Sequence, residues 1–168
     1  MKYVIFKTNW GYFGLAGNDS AIYRTYLLSQ KSEQTKERIL KDFTGVKMDK
    51  SYFKNLQKQI IAYFQGKNVD FNNEIPIFLD NFTVFSRRIL NTCRSIKSGQ
   101  ILTYQDLARK AGYPNAGRAV GNVMAKNPLP LIIPCHRVIR SDGKLGGFTS
   151  PGGINLKKRL LLHEKAAF

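Results

Sequence analysis

Short runs of aromatic and β-branched residues, interrupted by turn-forming residues, mark the first part of the chain. The segment YVIFKTNWGYFGLAGNDSAIYRTYLL, residues 3–28, is broken at Asn9-Trp10-Gly11 and again at Gly17-Asn18-Asp19-Ser20. Runs of this kind, bounded by Gly, Asn, Asp and Ser, are typical of β-strands joined by tight turns. The pattern therefore predicts a small sheet at the N-terminus.

The spacing of apolar residues then changes to the period of a helix. SEQTKERILKDFTG, residues 32–45, and KSYFKNLQKQIIAYFQG, residues 50–66, are both predicted as helices. In the second, Phe53, Leu56, Ile60 and Phe64 fall on one face, and Gly66 follows where a helix commonly ends. The polar stretch Asn72-Asn73-Glu74-Ile75-Pro76 comes next.

We place a domain boundary at this polar stretch. Residues 1–76 are predicted as an α/β N-terminal domain, and residues 77–168 as a mostly α-helical C-terminal domain. TVFSRRILNTCRSIKSG, residues 83–99, is the next helix, ending at Gly99, with one apolar stripe that consists of Phe85, Ile89, Cys93 and Ile96. Cys93 is thus expected to be a small buried residue without chemistry of its own.

The pattern of capping residues and glycine over residues of about 103–127 predicts a helix-turn-helix. Thr103 and Asp106 match a capping box, and Gly112 would close the first helix. Asn115 can cap a second helix that must end at Asn127-Pro128. Two short helices joined by a brief turn containing glycine form this motif.

The second of these helices has an unusual polar face. At roughly 100° per residue, its apolar face consists of Ala116, Ala119, Val120, Val123 and Met124. The opposite face consists of Gly117, Arg118, Gly121, Asn122 and Ala125. Glycine costs about 1 kcal/mol of helix stability relative to alanine. Either another helix packs closely there, or the backbone approaches a partner such as DNA.

The charge of the chain favours the second explanation. The net charge is +16, and residues 76–168 carry 15 basic and 4 acidic residues. A surface of this kind attracts polyanions, nucleic acid first. No apolar run has membrane-spanning length, the N-terminus does not match a signal peptide, and two cysteines do not form a disulfide framework. We therefore expect an intracellular protein, cytoplasmic in a prokaryote, with no membrane partner.

Candidate chemistry lies in LPLIIPCHRVIR, residues 129–140. Cys135 ends an apolar run and could be a core residue, but His136 and Arg137 follow at once, and such neighbours make a thiol reactive. Glu164 lies on an apolar stripe of the last helix, where a carboxylate needs a partner. Cys135, His136 and Glu164 are therefore a candidate triad, although His163 is nearly as good a base. Contact between neighbouring Cys135 and His136 would need a turn or a bridging water.

The motifs together resemble a known family. NPLPLIIPCHRVIRSDGKLGGF, with TYQDLARKAGYPNAGRAVGNVM before it and LLLHE after it, is similar to the O6-alkylguanine-DNA alkyltransferases, also called methylated-DNA–protein-cysteine methyltransferases. The resemblance covers residues of about 82–165. It implies that the N-terminal domain is the family's variable ribonuclease-H-like domain.

The resemblance also implies catalytic roles. Cys135 would accept the alkyl group, His136 would act as the base through a water molecule, and Glu164 would hold His136. Asn127 would brace the active-site turn by hydrogen bonding. Tyr104 would contact the flipped base and donate towards N3 of the leaving guanine.

Further positions are implied to bind DNA or to form the substrate pocket. Arg118 would enter the duplex as a finger and replace the extruded nucleotide. Other implied DNA contacts are Gly117, Gly121, Asn122 and Thr103. The implied pocket consists of the carbonyls of Val138 and Cys135, the wall of Phe148, the hydroxyl position of Thr149, and Lys157.

The expected function is therefore DNA repair by direct reversal of damage. The partner would be double-stranded DNA containing O6-alkylguanine, bound in the minor groove by a monomer, with cooperative binding along DNA left open. The thioether product does not hydrolyse, so each chain would act once, without a cofactor. A non-catalytic reader of alkylated DNA is the alternative. Ser150-Pro151 lengthens the loop relative to the shortest members, and with no Cys or His before Cys93 the N-terminal domain cannot form the zinc site of some members.

Overall fold

The computed structural model describes residues 1–71 and 74–168, which form two compact units. The first unit contains Met1–Val69 and Glu74–Phe78, and the second contains residues 70 and 71 together with Leu79–Phe168. Asn72 and Asn73, part of the polar stretch at which we placed the boundary, lie outside the described residues. Within the described part of the chain, no helix is both long and apolar enough to span a bilayer.

The first unit is built on a four-stranded sheet. Its strands are β1 (Lys2–Thr8), β2 (Gly11–Gly17), β3 (Ile22–Ser29) and β4 (Lys47–Met48), in the order β3-β2-β1-β4. β1 pairs antiparallel with β2, from Lys2 opposite Gly17 to Thr8 opposite Gly11, and parallel with β4. The strands and the tight turn after β1 follow the predicted pattern.

Two helices complete this unit, α1 (Ser32–Asp42) and α2 (Lys54–Phe64). Leu56, Ile60 and Phe64 of α2 are buried, as the spacing predicted. The prediction for Phe53 was wrong, because this residue precedes the helix in a left-handed conformation with φ +48° and is only partly buried. Helical geometry therefore begins at Lys54.

The second unit is mostly helical. It contains α3 (Val84–Arg94), α4 (Tyr104–Lys110), α5 (Gly117–Ala125) and α6 (Gly153–His163). Its only described sheet is a parallel pair, β5 (Leu102–Thr103) with β6 (Val138–Ile139). Cys93 is fully buried on α3, as expected, but the helix ends at Arg94 and not at Gly99. Ile96, just beyond the helix, is nevertheless buried.

The start of α4 is capped by Thr103, which is one half of the predicted capping box, while the Asp106 carboxylate bonds the Thr103 hydroxyl. The Thr103 hydroxyl accepts from Asp106 N at 3.0 Å and donates to Asp106 Oδ2 at 2.6 Å. Such a cap is worth about 1 kcal/mol of stability. Gly112 follows the helix with φ +86°, a conformation that favours glycine.

The predicted cap of α5 was wrong. Ala116, not Asn115, is the N-cap residue, because a backbone turn from Tyr113 O to Ala116 N, at 3.0 Å, delays the helix to Gly117. The apolar face is correct for Val120, Val123 and Met124, which are buried, but Ala119 is exposed. The buried face of α5 is therefore narrower than expected.

Candidate active site

A short 3₁₀ turn at Cys135–Arg137 positions the thiol. Arg137 N donates to Pro134 O at 2.9 Å and closes this turn directly before β6. The preceding apolar run is buried throughout; its side chains are Leu129, Leu131, Ile132 and Ile133. Burial of this run anchors the turn in the core, and Cys135 itself is 7% exposed.

Asn127 ties the turn to the end of α5. Its Nδ2 donates to Ile133 O at 2.8 Å and to Cys135 Sγ at 3.1 Å, while its Oδ1 accepts from Leu129 N at 3.0 Å. One side chain thus fixes the chain on both sides of the apolar run and contacts the sulfur. Hydrogen bonds to the sulfur favour its charged form.

A buried ion cluster lies behind the thiol. His136 Nε2 is 2.8 Å from Glu164 Oε1, so the histidine that bonds Glu164 is His136. Arg137 clamps the same carboxylate, with Nε 2.8 Å from Oε2 and Nη2 2.9 Å from Oε1. Arg137 Nη1 also donates to Ile96 O at 2.5 Å and lies 3.6 Å from Asp70 Oδ1.

The cluster determines the protonation of its members. Burial alone would raise the pKa of Glu164, but hydrogen bonds from His136 and Arg137, and the charges of these partners, hold that pKa far below its usual range. Burial lowers the pKa of His136 despite the opposing effect of Glu164, so the ring is neutral at neutral pH. A neutral ring that donates from Nε2 to Glu164 keeps a lone pair on Nδ1. That Nδ1 is buried, and no described residue hydrogen-bonds to it.

The thiol itself needs such a base. Burial raises the pKa of Cys135, although the Asn127 hydrogen bond and the charge of Lys157 lower it in part. The resting thiol is therefore protonated at neutral pH. Lys157 is fully buried, and burial lowers its pKa to about 8.

Lys157 stands beside Lys158 and Arg159, a pattern typical of a solvent-exposed helix face, but the structure buries it. Its Nζ donates to Val138 O at 2.6 Å and lies 5.8 Å from the centre of the Tyr104 ring. An amphipathic pattern places a lysine outside the core, but a long stem allows its ammonium group to reach a buried carbonyl. The hydrogen bond to Val138 compensates part of the burial cost.

A cleft of about 500 Å³ opens onto Cys135. Its described lining consists of Tyr104, Gly121, Met124, Ala125, Cys135, Arg140, Gly146, Gly147, Phe148 and Thr149. Five of the predicted site residues therefore share one cavity. Within the described ranges, no three His, Cys, Asp or Glu side chains lie close enough to hold a metal ion.

The outer face of α5 is bare. A Cβ added at Gly121 would have no atom within 4 Å, whereas one at Gly117 would meet the Gln105 side-chain oxygen at 2.6 Å. Packing of a neighbouring helix therefore does not explain Gly121. Arg118 and Asn122 are exposed on this face.

The hydroxyl groups of two residues that were predicted to contact DNA or substrate form hydrogen bonds within the protein. Thr149 Oγ1 donates to Ala125 O at 3.0 Å, which ties the loop after Gly147 to the end of α5. The Thr103 hydroxyl caps α4 through Asp106, as described above. Val138 offers a carbonyl that already accepts from Lys157.

For Arg137 the sequence predicted an activating effect on the neighbouring thiol, but not its contact with Glu164. Its guanidinium joins Glu164, the Ile96 carbonyl and Asp70, at positions separated widely along the chain. The available signal was the carboxylate on an apolar stripe, since a buried carboxylate needs a cation as well as a histidine.

Comparison with known proteins identifies the class. Residues 1–77 match the family model of the 6-O-methylguanine DNA methyltransferase ribonuclease-like domain. Residues 84–166 match the model of the DNA-binding domain of the same proteins. The chain thus has the two-domain architecture of this class of DNA alkyltransferases, a ribonuclease-like domain followed by a DNA-binding domain.

Individual proteins of this class are similar to most of the chain in sequence and structure. A methylated-DNA–protein-cysteine methyltransferase from Methanosarcina acetivorans is 31% identical over 162 residues, 96% of each chain. One from Sulfolobus acidocaldarius is 45% identical over 114 residues, 68% of each chain. A crystal structure of Mycobacterium tuberculosis OGT in complex with DNA superposes with a TM-score of 0.81 at 33% identity, covering 98% of this chain and 93% of that one. The chain belongs to the methylated-DNA–protein-cysteine methyltransferase family, and the resemblance inferred from its motifs is confirmed.

Proposed function

We propose that this protein repairs duplex DNA by transferring the alkyl group of O6-alkylguanine to Cys135, irreversibly and once per chain. The observation that carries this proposal is a thiol that opens onto a cleft, hydrogen-bonds Asn127 and adjoins the buried cluster of His136, Arg137 and Glu164. A nucleophile, a base and a group that orients the base are the parts that covalent catalysis needs.

The reaction begins with the thiol proton. His136 Nδ1 takes this proton through a bridging water, for which its buried lone pair is the acceptor, and Glu164 stabilises the imidazolium that forms. The Cys135 sulfur attacks the alkyl carbon in line. The carbon–sulfur bond forms, the carbon–O6 bond breaks, and its electron pair leaves with the guanine.

The leaving guanine is stabilised by protonation and hydrogen bonding. Tyr104 lines the cleft and donates towards N3 of the guanine, while the carbonyls of Val138 and Cys135 accept from its amine. Phe148 and Thr149 form the wall beside the alkyl group, and Lys157 supports the carbonyl of Val138. A thioether does not hydrolyse, so the chain acts as reagent and catalyst together.

The alkyl group becomes accessible only when the nucleotide leaves the base stack. Such flipping costs a few kcal/mol. In this proposal α4 and α5 form a helix-turn-helix whose second helix lies in the minor groove. The bare surface at Gly121, with Gly117 and Asn122 on the same face, allows close approach of the backbone. Thr103 holds the start of α4 beside the duplex, and exposed Arg118 fills the gap in the stack.

One experiment tests the function directly. The intact protein is mixed with an excess of duplex DNA carrying O6-methylguanine and weighed by mass spectrometry. We expect a gain of one methyl group per chain, located on Cys135 after digestion. Repair of more than one lesion per chain would contradict single use. An unchanged mass would favour a non-catalytic reader of alkylated DNA.

Arg118→Ala should slow repair of duplex DNA by about a hundredfold, a loss of the size that a few kcal/mol of flipping energy can cause. Reaction with free O6-benzylguanine needs no flipping and should keep its rate. Single-turnover rates on both substrates make the comparison, with Lys36→Ala on α1 as a control for the loss of one exposed charge. Equal losses on the two substrates would remove Arg118 from the flipping role.

Gly121→Leu is expected to stabilise the fold and yet to slow the repair of DNA. The added side chain meets no atom of the protein at its Cβ, so the free energy of unfolding should rise by about 1 kcal/mol, the difference in helix propensity. Repair of duplex DNA should nevertheless slow at least tenfold, because the side chain occupies the surface that meets the duplex and part of the cleft that opens onto Cys135. Urea unfolding and single-turnover repair measure the two effects. A variant that repairs at the normal rate would show that α5 does not approach the DNA closely.

A further inference from the structure

Arg140 is the one charged side chain in the described lining of the cleft that opens onto Cys135. It follows β6 directly, five residues after the thiol, and its side chain is 57% exposed. The other lining residues are neutral, and four of them are glycine or alanine. A neutral alkyl group itself carries no charge with which this cation could pair.

A small turn holds the arginine in position. Arg140 Nε lies 3.1 Å from Asp142 Oδ1, and Nη2 lies 2.8 Å from Asp142 Oδ2. Asp142 Oδ1 also accepts from Lys144 N at 3.1 Å, and Arg140 N donates to Lys144 O at 2.9 Å. The turn contains Gly143 with φ +78°.

Asp142 occupies only one edge of the guanidinium group. Nε and Nη2 form the side edge, and Nη1 has no hydrogen-bond partner among the residues that the structure describes. A guanidinium carries five donors in a planar fork that matches a carboxylate at either edge. The end formed by Nη1 and Nη2 can therefore receive a second carboxylate.

We propose that Arg140 adapts the cleft to O6-alkylguanines whose alkyl group carries a carboxylate, O6-carboxymethylguanine being the simplest. This inference rests on the proposed alkyl transfer to Cys135. The step is the same as for methyl: the sulfur bonds the methylene carbon, the bond from that carbon to O6 breaks, and the electron pair leaves with the guanine. The carboxylate is unchanged and remains on the cysteine as S-carboxymethylcysteine.

The electrostatics of this substrate explain why it needs a cation. Attack by a thiolate brings a second negative charge next to a carboxylate, and the two like charges repel each other. Arg140 on the cleft wall opposes that repulsion. Buried Lys157, whose Nζ lies 5.8 Å from the ring centre of the lining residue Tyr104, adds to the positive potential.

The test compares two lesions in the same duplex, O6-carboxymethylguanine and its neutral amide analogue O6-carbamoylmethylguanine. Single-turnover rates below saturation give the ratio of the anionic to the neutral substrate for each protein. In Arg140→Gln this ratio should fall about tenfold, the effect expected for one charge-assisted hydrogen bond. Arg140→Lys should retain part of the preference, because it keeps the charge and loses the fork.

Two further variants make the result specific. Lys144→Gln removes an exposed charge from the same turn, outside the described lining of the cleft, and should leave the ratio unchanged. Asp142→Asn keeps an oxygen that can accept from Arg140 Nε and Lys144 N, but removes the negative charge that opposes a second carboxylate, and should raise the ratio. If Arg140→Gln lowered the single-turnover rates on both lesions equally, the inference would be overturned. Such a result would indicate that Arg140 contacts a DNA phosphate or has a role in the loop.

Different results would overturn the proposed role of Arg140 and the proposed alkyl transfer to Cys135. A wild-type protein that removes methyl but not carboxymethyl groups would overturn the inference and leave the function intact. A wild-type protein that takes no alkyl group from any lesion would overturn the function itself. Mass spectrometry distinguishes these cases, because methyl and carboxymethyl groups add different masses to Cys135.

Discussion

Cys135→Ser is expected to abolish alkyl transfer and to leave DNA binding intact. A serine hydroxyl is far less acidic than a thiol, so a neutral histidine does not hold it ionised, and it is a far weaker nucleophile than a thiolate towards a saturated carbon. The side chain is 7% exposed and nearly the same size, so the fold should persist. With excess O6-methylguanine duplex, the mass of the variant should stay unchanged over times in which the wild type reacts completely. A mobility-shift titration should show unaltered affinity.

The second cysteine provides the matched control. Cys93 is fully buried on α3, is not part of the described lining of the cleft, and has its pKa raised well above the usual value by burial. Cys93→Ala should therefore still gain one methyl group per chain. Methylation of the Cys135→Ser variant would reveal a different acceptor and contradict the proposed mechanism.

Local patterns accounted for most of the fold. Apolar spacing identified α2 through Leu56, Ile60 and Phe64, and the capping pair of Thr103 and Asp106 identified the start of α4. The errors lie at the ends of elements, at Phe53 and Asn115, where a single left-handed residue or a backbone turn decides the boundary. Those conformations depend on tertiary contacts that periodicity does not contain.

The residues of the candidate site were likewise predicted only in part from the sequence. Cys135 and His136 are adjacent in sequence, and Glu164 was recognised because a carboxylate on an apolar stripe needs a partner. Arg137 had no such signal of its own, because alternation along an extended chain does not show that a 3₁₀ turn directs it to Glu164. The burial of Lys157 was likewise hidden, since a lysine next to two other basic residues has the pattern of a solvent-exposed helix face.

Glu164→Gln is expected to lower both the stability of the protein and its rate of alkyl transfer. The amide keeps an oxygen for His136 or Arg137 but replaces the other acceptor by a donor. The buried guanidinium then has only Asp70, 3.6 Å away, as a counter-charge. Removing one partner of a buried ion pair costs about 3 kcal/mol of the free energy of unfolding. Loss of the group that stabilises the imidazolium should slow alkyl transfer about a hundredfold. Urea unfolding and single-turnover rates with O6-methylguanine duplex measure the two effects.

The pH dependence identifies the carboxylate as the cause. Because the pKa of Glu164 is held far below its usual range, the ionised group stabilises the fold above the unfolded pKa of about 4.3, and this contribution is lost as the pH falls towards the folded value. The deficit of Glu164→Gln in the free energy of unfolding should therefore be constant near neutral pH and shrink below about pH 4. The exposed control Glu37→Gln should show neither effect. A deficit that persists unchanged in acid would mean that packing, and not the charge clamp of Arg137 and His136, is what Glu164 supplies.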